Sequence, residues 1–449
     1  MSTAEAAHAA RRERAAAALR GTAGGAPLGL AKTTSNLFRD RERRAKRKLD
    51  LSEFTHVLGV DAAGGRVDVE GGTTYEALAA ATLAHGVMPA VVPQLKTITA
   101  GGAAAGVAIE ATSFRAGLVH HTMQSLDVLL ADGRIVHCTP DNEHRDLFHG
   151  FPNSYGTLGY ALRLGLATRP VLPYVRAQHL RAGSAQAFFA ELQRRCEDGA
   201  SDFVDGVVFD RQTMIVCAAA FVADAPSTSD YRAEHIYYRS LLEREVDHLR
   251  VEDYLWRWDT DWFWCSRNFG AEHAWVRRLL GRERLNSRTW QRLMRWNSRW
   301  QLTQRWTALR GGHRESVIQD VDLPIEHAAE FLDFLLREIG IVPIWICPLR
   351  APPGGPFPLY PLAPGALHVN FGFWDGVEGR EAHEPGHFNR LIEREVIRLG
   401  GIKSLYSDSY FTRAEFAAAY GGTAYEALKQ RYDPERRLLG LYEKCVLRA

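Results

Sequence analysis

The feature that most constrains the fold is one stretch, residues 97–139, which reads TITAGGAAAGVAIEATSFRAGLVHHTMQSLDVLLADGRIVHCT. Its first part, residues 97–102, ends in two glycines, Gly101 and Gly102, and small residues follow up to Gly106. Small residues let a backbone approach a bulky ligand closely, and glycine adopts positive φ without steric cost. Successive backbone N–H groups in such a turn form a nest for phosphate oxygens. The pattern predicts either a phosphate-binding loop or a tight turn beside a packed helix.

The second half of this stretch predicts a β-hairpin. Residues 125–136 contain two runs rich in apolar residues on either side of Asp132-Gly133, a dipeptide typical of a hairpin turn. A second glycine pair, Gly156 and Gly159, follows the hairpin. The three features together favour a ligand-binding loop over a plain turn.

At these residues the chain resembles the second half of the FAD-binding domain of the vanillyl-alcohol-oxidase-type flavoproteins. Within that superfamily it is most similar to the sterol Δ24-reductases and to actinobacterial flavoproteins that reduce methylene-branched fatty acyl chains in tuberculostearate synthesis. The resemblance covers residues 97–169, 316–324, 343–348 and 401–415, in that order. It implies an α+β fold with a two-part FAD-binding domain and an inserted α/β substrate (cap) domain.

The order of elements agrees with this domain plan. Two strands, a helix and a third strand precede the glycine-rich loop, and no GxGxxG follows the first strand, which argues against a Rossmann unit. We predict an N-terminal helix in residues 1–27, the FAD-binding domain in 28–172, the cap in 173–399, and a C-terminal segment, 400–449, that returns to the FAD domain.

The resemblance implies the residues that contact FAD. In the first loop, residues 28–39, four polar side chains would offer hydroxyl and amide groups to the diphosphate: Thr33, Thr34, Ser35 and Asn36. The other candidates are Thr97, Thr99, Ala100, Gly101, Gly102, Gly106, Ser113, Gly117, Gly156, Thr157 and Gly159. Many relatives carry a flavin-linking histidine in the first loop, but this chain has none there, so we expect FAD to be bound non-covalently.

Candidate catalytic residues come from two further blocks. The block 403–410 resembles the Leu-Tyr-Ala-Asp-x-Tyr segment of the sterol reductases, which implies Tyr406 or Asp408 as proton donor and Tyr410 near the substrate. Gln319 and Asp320 match the relatives' Gln-Asp pair on a strand beside the flavin, and alternation along a strand turns only one of them inward.

Three residues are candidate substrate contacts. Trp345 lies in a predicted buried strand, and His368 and Asn370 share one face of another strand. The sterol reductases do not match at the last two positions.

Two segments are candidates for contact with lipid. Residues 253–310 contain nine of the eleven tryptophans, interleaved with arginines. Tryptophan is favoured where one side is apolar and the other is wet, so this segment is either helices packed on the core or an interfacial patch that admits a lipid tail. The charge run 39–48 is either a solvated face or a contact with anionic lipid.

Composition excludes several classes of protein. A net charge of +2 argues against a nucleic-acid binder. No CxxC pair or HExxH motif predicts a metal site, and the six scattered cysteines are typical of reduced, buried thiols. Neither an 18-residue apolar run nor a signal-peptide core is present, so we expect a cytoplasmic protein, peripheral at most on the inner face of the plasma membrane.

Three functions remain open. The first is FAD-dependent reduction of a lipid double bond, with a methylene-branched fatty acyl chain as substrate and NADPH as electron source; a sterol reductase is its variant. The second is FAD-dependent oxidation of an alcohol or sugar on the same scaffold. The third is a flavin-binding partner of a lipid methyltransferase that has no turnover of its own. Fold alone does not separate them.

Overall fold

The structure is a computed structural model that describes residues 3–20, 26–31, 38–39, 46–232, 235–300, 312–379 and 383–449. It confirms the α+β architecture that the sequence predicts. The strands are β1 Leu28–Ala31, β2 Arg47–Asp50, β3 Val57–Asp61, β4 Arg66–Glu70, β5 Val87–Pro89, β6 Met123–Leu129, β7 Ile135–Cys138, β8 Tyr160–Pro170, β9 Tyr174–Ala182, β10 Phe203–Val208, β11 Met214–Val222, β12 Val246–Arg250, β13 His313–Pro324, β14 Ile344–Arg350, β15 Leu367–Gly379 and β16 Ile402–Lys403.

The α-helices of the described residues are Thr3–Ala17, Tyr75–Leu83, Ala100–Gly106, Ser113–Ala116, Arg145–Gly150, Ala185–Glu197, Tyr237–Glu243, Val251–Leu255, Ala274–Leu280, Ser287–Trp300, Ile325–Phe334, His387–Arg398, Arg413–Ala419, Gly422–Tyr432 and Leu441–Cys445. Two 3₁₀ turns, Val119–Thr122 and Cys265–Phe269, and one π turn, Leu335–Ile339, complete the set.

The first domain is built on a six-stranded sheet. Its order is β3-β4-β8-β6-β7, with β5 also paired to β8. The predicted hairpin is present as β6 and β7, and Gly133 takes φ 88° at its turn. The helices Tyr75–Leu83 and Ala100–Gly106 bury apolar residues in the same core as β4 and β8. The sheet therefore carries the glycine-rich helix on its packed face.

The cap is built on an eight-stranded sheet with the order β12-β9-β11-β10-β14-β15-β13-β16. Each neighbouring pair is antiparallel. Side chains of three helices, Ala185–Glu197, Ile325–Phe334 and His387–Arg398, fill the core on one face of this sheet. The other face of β13, β14 and β15 is turned towards the first domain, and this arrangement positions the site.

Both ends of the chain pack on the first domain. Arg11 in the N-terminal helix reaches Glu70 of β4 at 2.6 Å. After β16, which pairs with β13 in the cap sheet, the C-terminal helices cross back. There Lys429 donates to the Thr157 carbonyl oxygen at 2.9 Å.

The structure contains no helix, among the residues it describes, that is long and apolar enough to cross a membrane. The six cysteines are free and buried, as the sequence predicts.

Candidate active site

A cavity of about 1560 Å³ lies between the first domain and the cap, and residues of both line it. This volume exceeds the roughly 300–1,000 Å³ of a pocket that holds one drug-sized ligand. The cavity therefore has room for a large cofactor and for part of a second molecule. The predicted catalytic and binding residues that the structure describes can be compared with its wall.

The glycine-rich run forms the helix Ala100–Gly106 at the edge of this cavity. Thr99 caps the helix, because its side-chain oxygen accepts the N–H of Gly102 at 3.2 Å. The N–H of Gly101 donates to the carbonyl oxygen of Gly71 at 2.8 Å. Both glycines are helical and their N–H groups bond within the protein, so the interpretation of the run as a phosphate nest with positive φ is wrong here.

The glycines are required instead by close packing. A Cβ on Gly101 would lie 2.8 Å from the Gly71 carbonyl oxygen and 3.2 Å from the Cβ of Ala161. A Cβ on Gly102 would lie 2.8 Å from the Thr99 hydroxyl oxygen that caps the helix. The absence of side chains thus lets the helix rest against the turn that follows β4 and leaves the space in front of it open.

The predicted cofactor residues divide into three groups. Those that line the cavity are Thr97, Thr99, Gly101, Gly102, Gly106, Gly156 and Gly159. Those that do not line it are Ala100, Ser113, Gly117 and Thr157. The first-loop candidates Thr33, Thr34, Ser35 and Asn36 lie outside the described residues, so their role and the non-covalent linkage stay predictions.

Side chains alternate between the two faces of β13, so only one member of the Gln319-Asp320 pair reaches the cavity. Asp320 lines the cavity, together with Ile318 and Asp322 on the same face of the strand. Gln319 points to the other side, is fully buried, and donates from its amide to the Asn389 side chain at 2.7 Å. Gln319 is therefore a structural residue, and Asp320 is the member of the pair that reaches the site.

Asp320 and Tyr406 are the candidate acid–base groups at one end of the cavity. Burial raises the pKa of Asp320 to about 7, although a hydrogen bond from Tyr406 lowers it. Burial also raises the pKa of Tyr406 well above its usual value. The indole N–H of Trp374 donates to the Tyr406 oxygen at 2.8 Å. Since that oxygen accepts from Trp374, its own proton is directed to Asp320 or to a molecule in the cavity.

Asp408 and Tyr410 have other partners. The Asp408 carboxyl group lies 3.5 Å from the Arg448 guanidinium at the rim of the cavity. The Tyr410 hydroxyl oxygen accepts from the same arginine at 3.0 Å, and Tyr410 does not line the cavity. Asp408 lines the cavity and stays a candidate proton donor. β13 adds a second acidic group there, Asp320, beside the Tyr406 hydroxyl group.

Of these three predicted substrate contacts, two line the cavity and one does not. Trp345 lines the cavity and donates its indole N–H to Asp205 at 3.2 Å. Asn370 lines it and donates to Asp322 at 2.7 Å. His368 is buried but does not line the cavity, so a direct role in substrate contact is not supported.

Aromatic rings cover much of the wall near Tyr406. Phe263 packs against Trp374 with ring centroids 4.4 Å apart, and against Trp345 at 5.4 Å. Phe38 stacks on Trp262 at 5.4 Å and meets the Tyr406 ring edge-on at 5.8 Å. This end of the cavity is apolar apart from a small number of polar groups, an arrangement that suits a hydrocarbon chain.

Comparisons with known proteins agree with this geometry. A family profile described as FAD binding domain matches residues 12–139. The chain is 25% identical to the Delta(24)-sterol reductase of Homo sapiens over 401 residues, which cover 86% of this chain and 75% of that protein. It is 24% identical to the enzyme of the same name from Arabidopsis thaliana over 444 residues, 90% of this chain and 77% of that protein.

A shorter match links it to the Decaprenylphosphoryl-beta-D-ribose oxidase of Mycolicibacterium smegmatis. The identity is 28% over 122 residues, which are 27% of this chain and 26% of that protein. The chain is a vanillyl-alcohol-oxidase-type flavoprotein related to the Δ24-sterol reductases. It is an FAD-dependent oxidoreductase.

The cavity of the flavoprotein fits FAD at a residue that the sequence did not single out. Arg39 lines the cavity, is only 7% exposed, and lies over the Tyr155 ring at 4.7 Å. One of its nitrogens contacts the Cys445 sulfur, and two others, Nε and Nη2, have no hydrogen-bond partner. Two unpaired nitrogens on a buried guanidinium are costly, so an anionic oxygen of the cofactor is a fitting partner for them.

Arg39 also corrects the interpretation of the charge run 39–48. The sequence predicts a solvated face or a lipid contact for this run, whereas Arg39, Lys46 and Lys48 line the cavity. Residues 40–45 lie outside the described residues, so for them the two alternatives stay open. No local pattern distinguishes Arg39 from the basic residues that follow, because its burial comes from Tyr155 and Cys445, which are distant in sequence.

Proposed function

We propose that this flavoprotein reduces a carbon–carbon double bond of a lipid. The most specific form of the proposal is a methylene-branched fatty acyl chain that becomes the methyl-branched chain, with NADPH as electron source. FAD, when bound, would supply the hydride transfer from the nicotinamide to the alkene. The second alkene carbon must receive a proton from the protein or from water.

The observation that carries the proposal is the Tyr406 hydroxyl group in an aromatic wall. It stands between the Asp320 carboxyl group and the Trp374 indole N–H. As Tyr406 gives up its proton, the Trp374 N–H stabilises the negative charge that develops on the oxygen. Asp320, whose pKa is about 7, is protonated in part at neutral pH and can return a proton to Tyr406.

The aromatic rings support the same chemistry from the substrate's side. Trp374 and Phe263 hold the alkene away from water, and their π faces attract a carbon that gains cationic character as the proton arrives. The proton thus comes from the Tyr406 hydroxyl group, and the rings stabilise the positive charge that develops on the alkene carbon in the same transition state. An alcohol oxidase would need acceptors for a substrate hydroxyl group, and the polar Asp322–Asn370 pair is the feature that keeps this alternative open.

The relatives favour reduction over alcohol oxidation. Matches named Delta(24)-sterol reductase extend over most of the chain, whereas the match to the oxidase covers about a quarter of it. A Δ24-sterol is therefore the second substrate to test. The six buried thiols support a reducing compartment, and we propose a cytoplasmic enzyme that contacts phospholipid peripherally on the inner face of the plasma membrane. A lipid methyltransferase is the candidate protein partner, because methylation of an unsaturated chain produces a methylene branch.

Anaerobic stopped-flow absorbance of the flavin tests the proposal. NADPH should reduce the bound flavin faster than NADH, and a lipid with a methylene-branched chain should reoxidise it. Reoxidation only by a Δ24-unsaturated sterol favours the sterol alternative. Reduction of the flavin by an alcohol, with hydrogen peroxide formed in air, favours the oxidase, and bound flavin without either half-reaction favours the scaffold.

A further inference from the structure

The nine tryptophans of residues 253–310 do not form one surface. Five of them are buried: Trp256, Trp258, Trp262, Trp264 and Trp290. Trp275 and Trp296 are exposed by 68% and 57%, and nothing is described for the side chains of Trp300 and Trp306. Most of the described cluster is therefore core, and the interfacial interpretation applies to two helices only.

These two helices, Ala274–Leu280 and Ser287–Trp300, present an apolar surface that we call the outer patch. Its members are Trp275, Leu279, Leu293 and Trp296, exposed by 68%, 76%, 36% and 57%. Trp275 and Leu279 are four residues apart and Leu293 and Trp296 three apart, so each pair lies on one face of its helix.

The inner faces of the same helices are firmly held. The buried Arg277 pairs with Asp261 at 2.5 Å. The buried Trp290 donates its indole N–H to the Thr260 carbonyl oxygen at 2.7 Å. The helices are thus anchored to the cap by residues with their own partners, and the outer patch is a fixed surface.

Two of the four residues of the outer patch, Leu293 and Trp296, also line the cavity. Leu293, Met294 and Trp296 line the cavity, and Phe269 lines it behind them. Because Trp296 both lines the cavity and is mostly exposed, the cavity reaches the protein surface beside this helix. A hydrocarbon chain beside Leu293 and Trp296 can pass from the surface into the cavity.

Charge around the patch identifies its occupant. Seven arginines and one acidic residue lie between positions 274 and 296: Arg277, Arg278, Arg282, Arg284, Arg288, Arg292, Arg295 and Glu283. Arg277 pairs with Asp261, Arg282 with Asp230 and Arg288 with Glu76, and Arg278 is not free either. The local excess of positive charge contrasts with a net charge of +2 for the whole chain. Arginine around exposed tryptophan and leucine fits the phosphate groups and acyl region of an anionic bilayer.

We propose that the outer patch docks on an anionic phospholipid bilayer and that the lipid enters the cavity there, past Leu293 and Trp296. The second half of this proposal rests on the proposed lipid substrate. The first half does not, since docking depends only on the patch and its arginines. The occupant is the bilayer itself, and a second copy of the chain is the competing occupant.

Vesicle sedimentation of the FAD-loaded, full-length protein tests docking. The patch variant is Trp275→Ser with Leu279→Ser, neither of which lines the cavity. The matched control is Leu172→Ser with Leu447→Ser, which changes two other leucines exposed by 44% and 47%. With phosphatidylglycerol vesicles, the bound fraction of the patch variant should fall about tenfold or more, and that of the control should stay at the parental value.

Flavin content and thermal unfolding report whether both variants fold. Vesicle binding of a folded patch variant at the parental level overturns the proposal. A parent that is dimeric in solution, with a monomeric patch variant and no vesicle binding by either, also overturns it in favour of a second copy.

A second readout tests entry of the lipid. The ratio of turnover with a vesicle-embedded substrate to turnover with the same substrate in detergent should fall about tenfold in the patch variant and stay constant in the control. An unchanged ratio, despite lost vesicle binding, overturns the entry route. If no lipid is turned over by the parent, the proposed function fails, while the sedimentation result still decides whether the outer patch docks.

Discussion

At the scale of single residues, Asp320 and Tyr406 place an acid and a hydroxyl group, both half-buried, in the wall of the cavity. Burial favours the neutral carboxyl group and raises its pKa to about 7, so Asp320 changes charge within the physiological range. Tyr406 keeps its proton at every such pH, because burial raises its pKa well above its usual value. The pair can therefore deliver a proton without holding a permanent charge against a hydrocarbon.

Removing the Tyr406 hydroxyl group should slow only the step that needs the proton. Tyr406→Phe keeps the ring that meets Phe38 and removes the hydroxyl group that accepts from Trp374 and lies beside Asp320. Flavin content and reduction by NADPH should be nearly unchanged, while reoxidation by the lipid should slow by roughly 10²–10⁴-fold, the usual contribution of a positioned general acid. Stopped-flow absorbance separates the two half-reactions.

The rate of flavin reoxidation should also depend on pH, in a direction that the protonation of Asp320 sets. Asp320 is protonated below about pH 7, so the parental reoxidation rate should fall as the pH rises through that value, and Asp320→Asn should remove the dependence. Tyr410→Phe is the matched control for Tyr406→Phe, because it also removes a tyrosine hydroxyl group, but one that bonds to Arg448 outside the cavity. If Tyr406→Phe reoxidises its flavin at the parental rate, the proton comes from another group.

At the scale of elements, the pattern of β13 was predictable from the sequence, but its partners were not. Strict alternation sends Asp320 to the cavity and Gln319 to the opposite core, as expected for a strand buried on both faces. The partner of Asp320 lies 86 positions later in the chain, brought near by the pairing of β13 with β16. Local motifs therefore find the strand and the tyrosine block, while their contact depends on tertiary structure.

The glycine-rich run is a second case in which the sequence identifies the segment but tertiary structure decides its role. Its composition predicts a phosphate-binding loop or a tight turn, yet a helix begins after Thr99, whose side chain satisfies the N–H of Gly102. The need for glycine comes from the Gly71 backbone, 30 positions earlier, which packs against Gly101. A sequence pattern indicates that a close approach occurs, and only the fold says what approaches.

A single added methyl group tests this packing. In Gly101→Ala the new Cβ would lie 2.8 Å from the Gly71 carbonyl oxygen, so the helix Ala100–Gly106 must shift. The free energy of unfolding should fall by about 1–3 kcal/mol, and the FAD content should fall with it. Gly59→Ala is the matched control, since a Cβ at Gly59 would meet nothing within 4 Å. Equal FAD content and thermal stability in the two variants would contradict the close-packing argument.

At the scale of the whole molecule, the cavity exists because two domains are held in a fixed relation. Arg257 of the cap lies buried at the interface, where it pairs with Glu110 of the first domain at 2.7 Å and with Asp205 of the cap at 2.9 Å. Its guanidinium also stacks on the Tyr254 ring at 4.1 Å. Asp205 in turn accepts from Trp345 in the cavity wall, so the interface network and the site share a residue.

Loss of the Arg257 charge should destabilise the whole protein rather than one domain. Arg257→Met leaves Glu110 and Asp205 buried without their cation, and the free energy of unfolding should fall by about 3–5 kcal/mol. Arg288→Met is the matched control: its pair with Glu76 is also a contact between the two domains, but it is exposed, so the cost should stay below about 1 kcal/mol. Chemical denaturation followed by tryptophan fluorescence and by flavin release measures both variants.

The cost in Arg257→Met should also grow with pH. Burial raises the pKa of Glu110 to about 7 although Arg257 lowers it, so removal of the arginine raises that pKa further. A carboxyl group whose pKa is higher in the folded state binds its proton more tightly there, and its contribution to stability falls as the pH rises from the unfolded value towards the folded one. The difference between parent and Arg257→Met should therefore be larger at pH 8 than at pH 6, and Glu110→Gln in the variant should remove much of this increase. A difference that is the same at both pH values would show that Glu110 does not carry the interface charge.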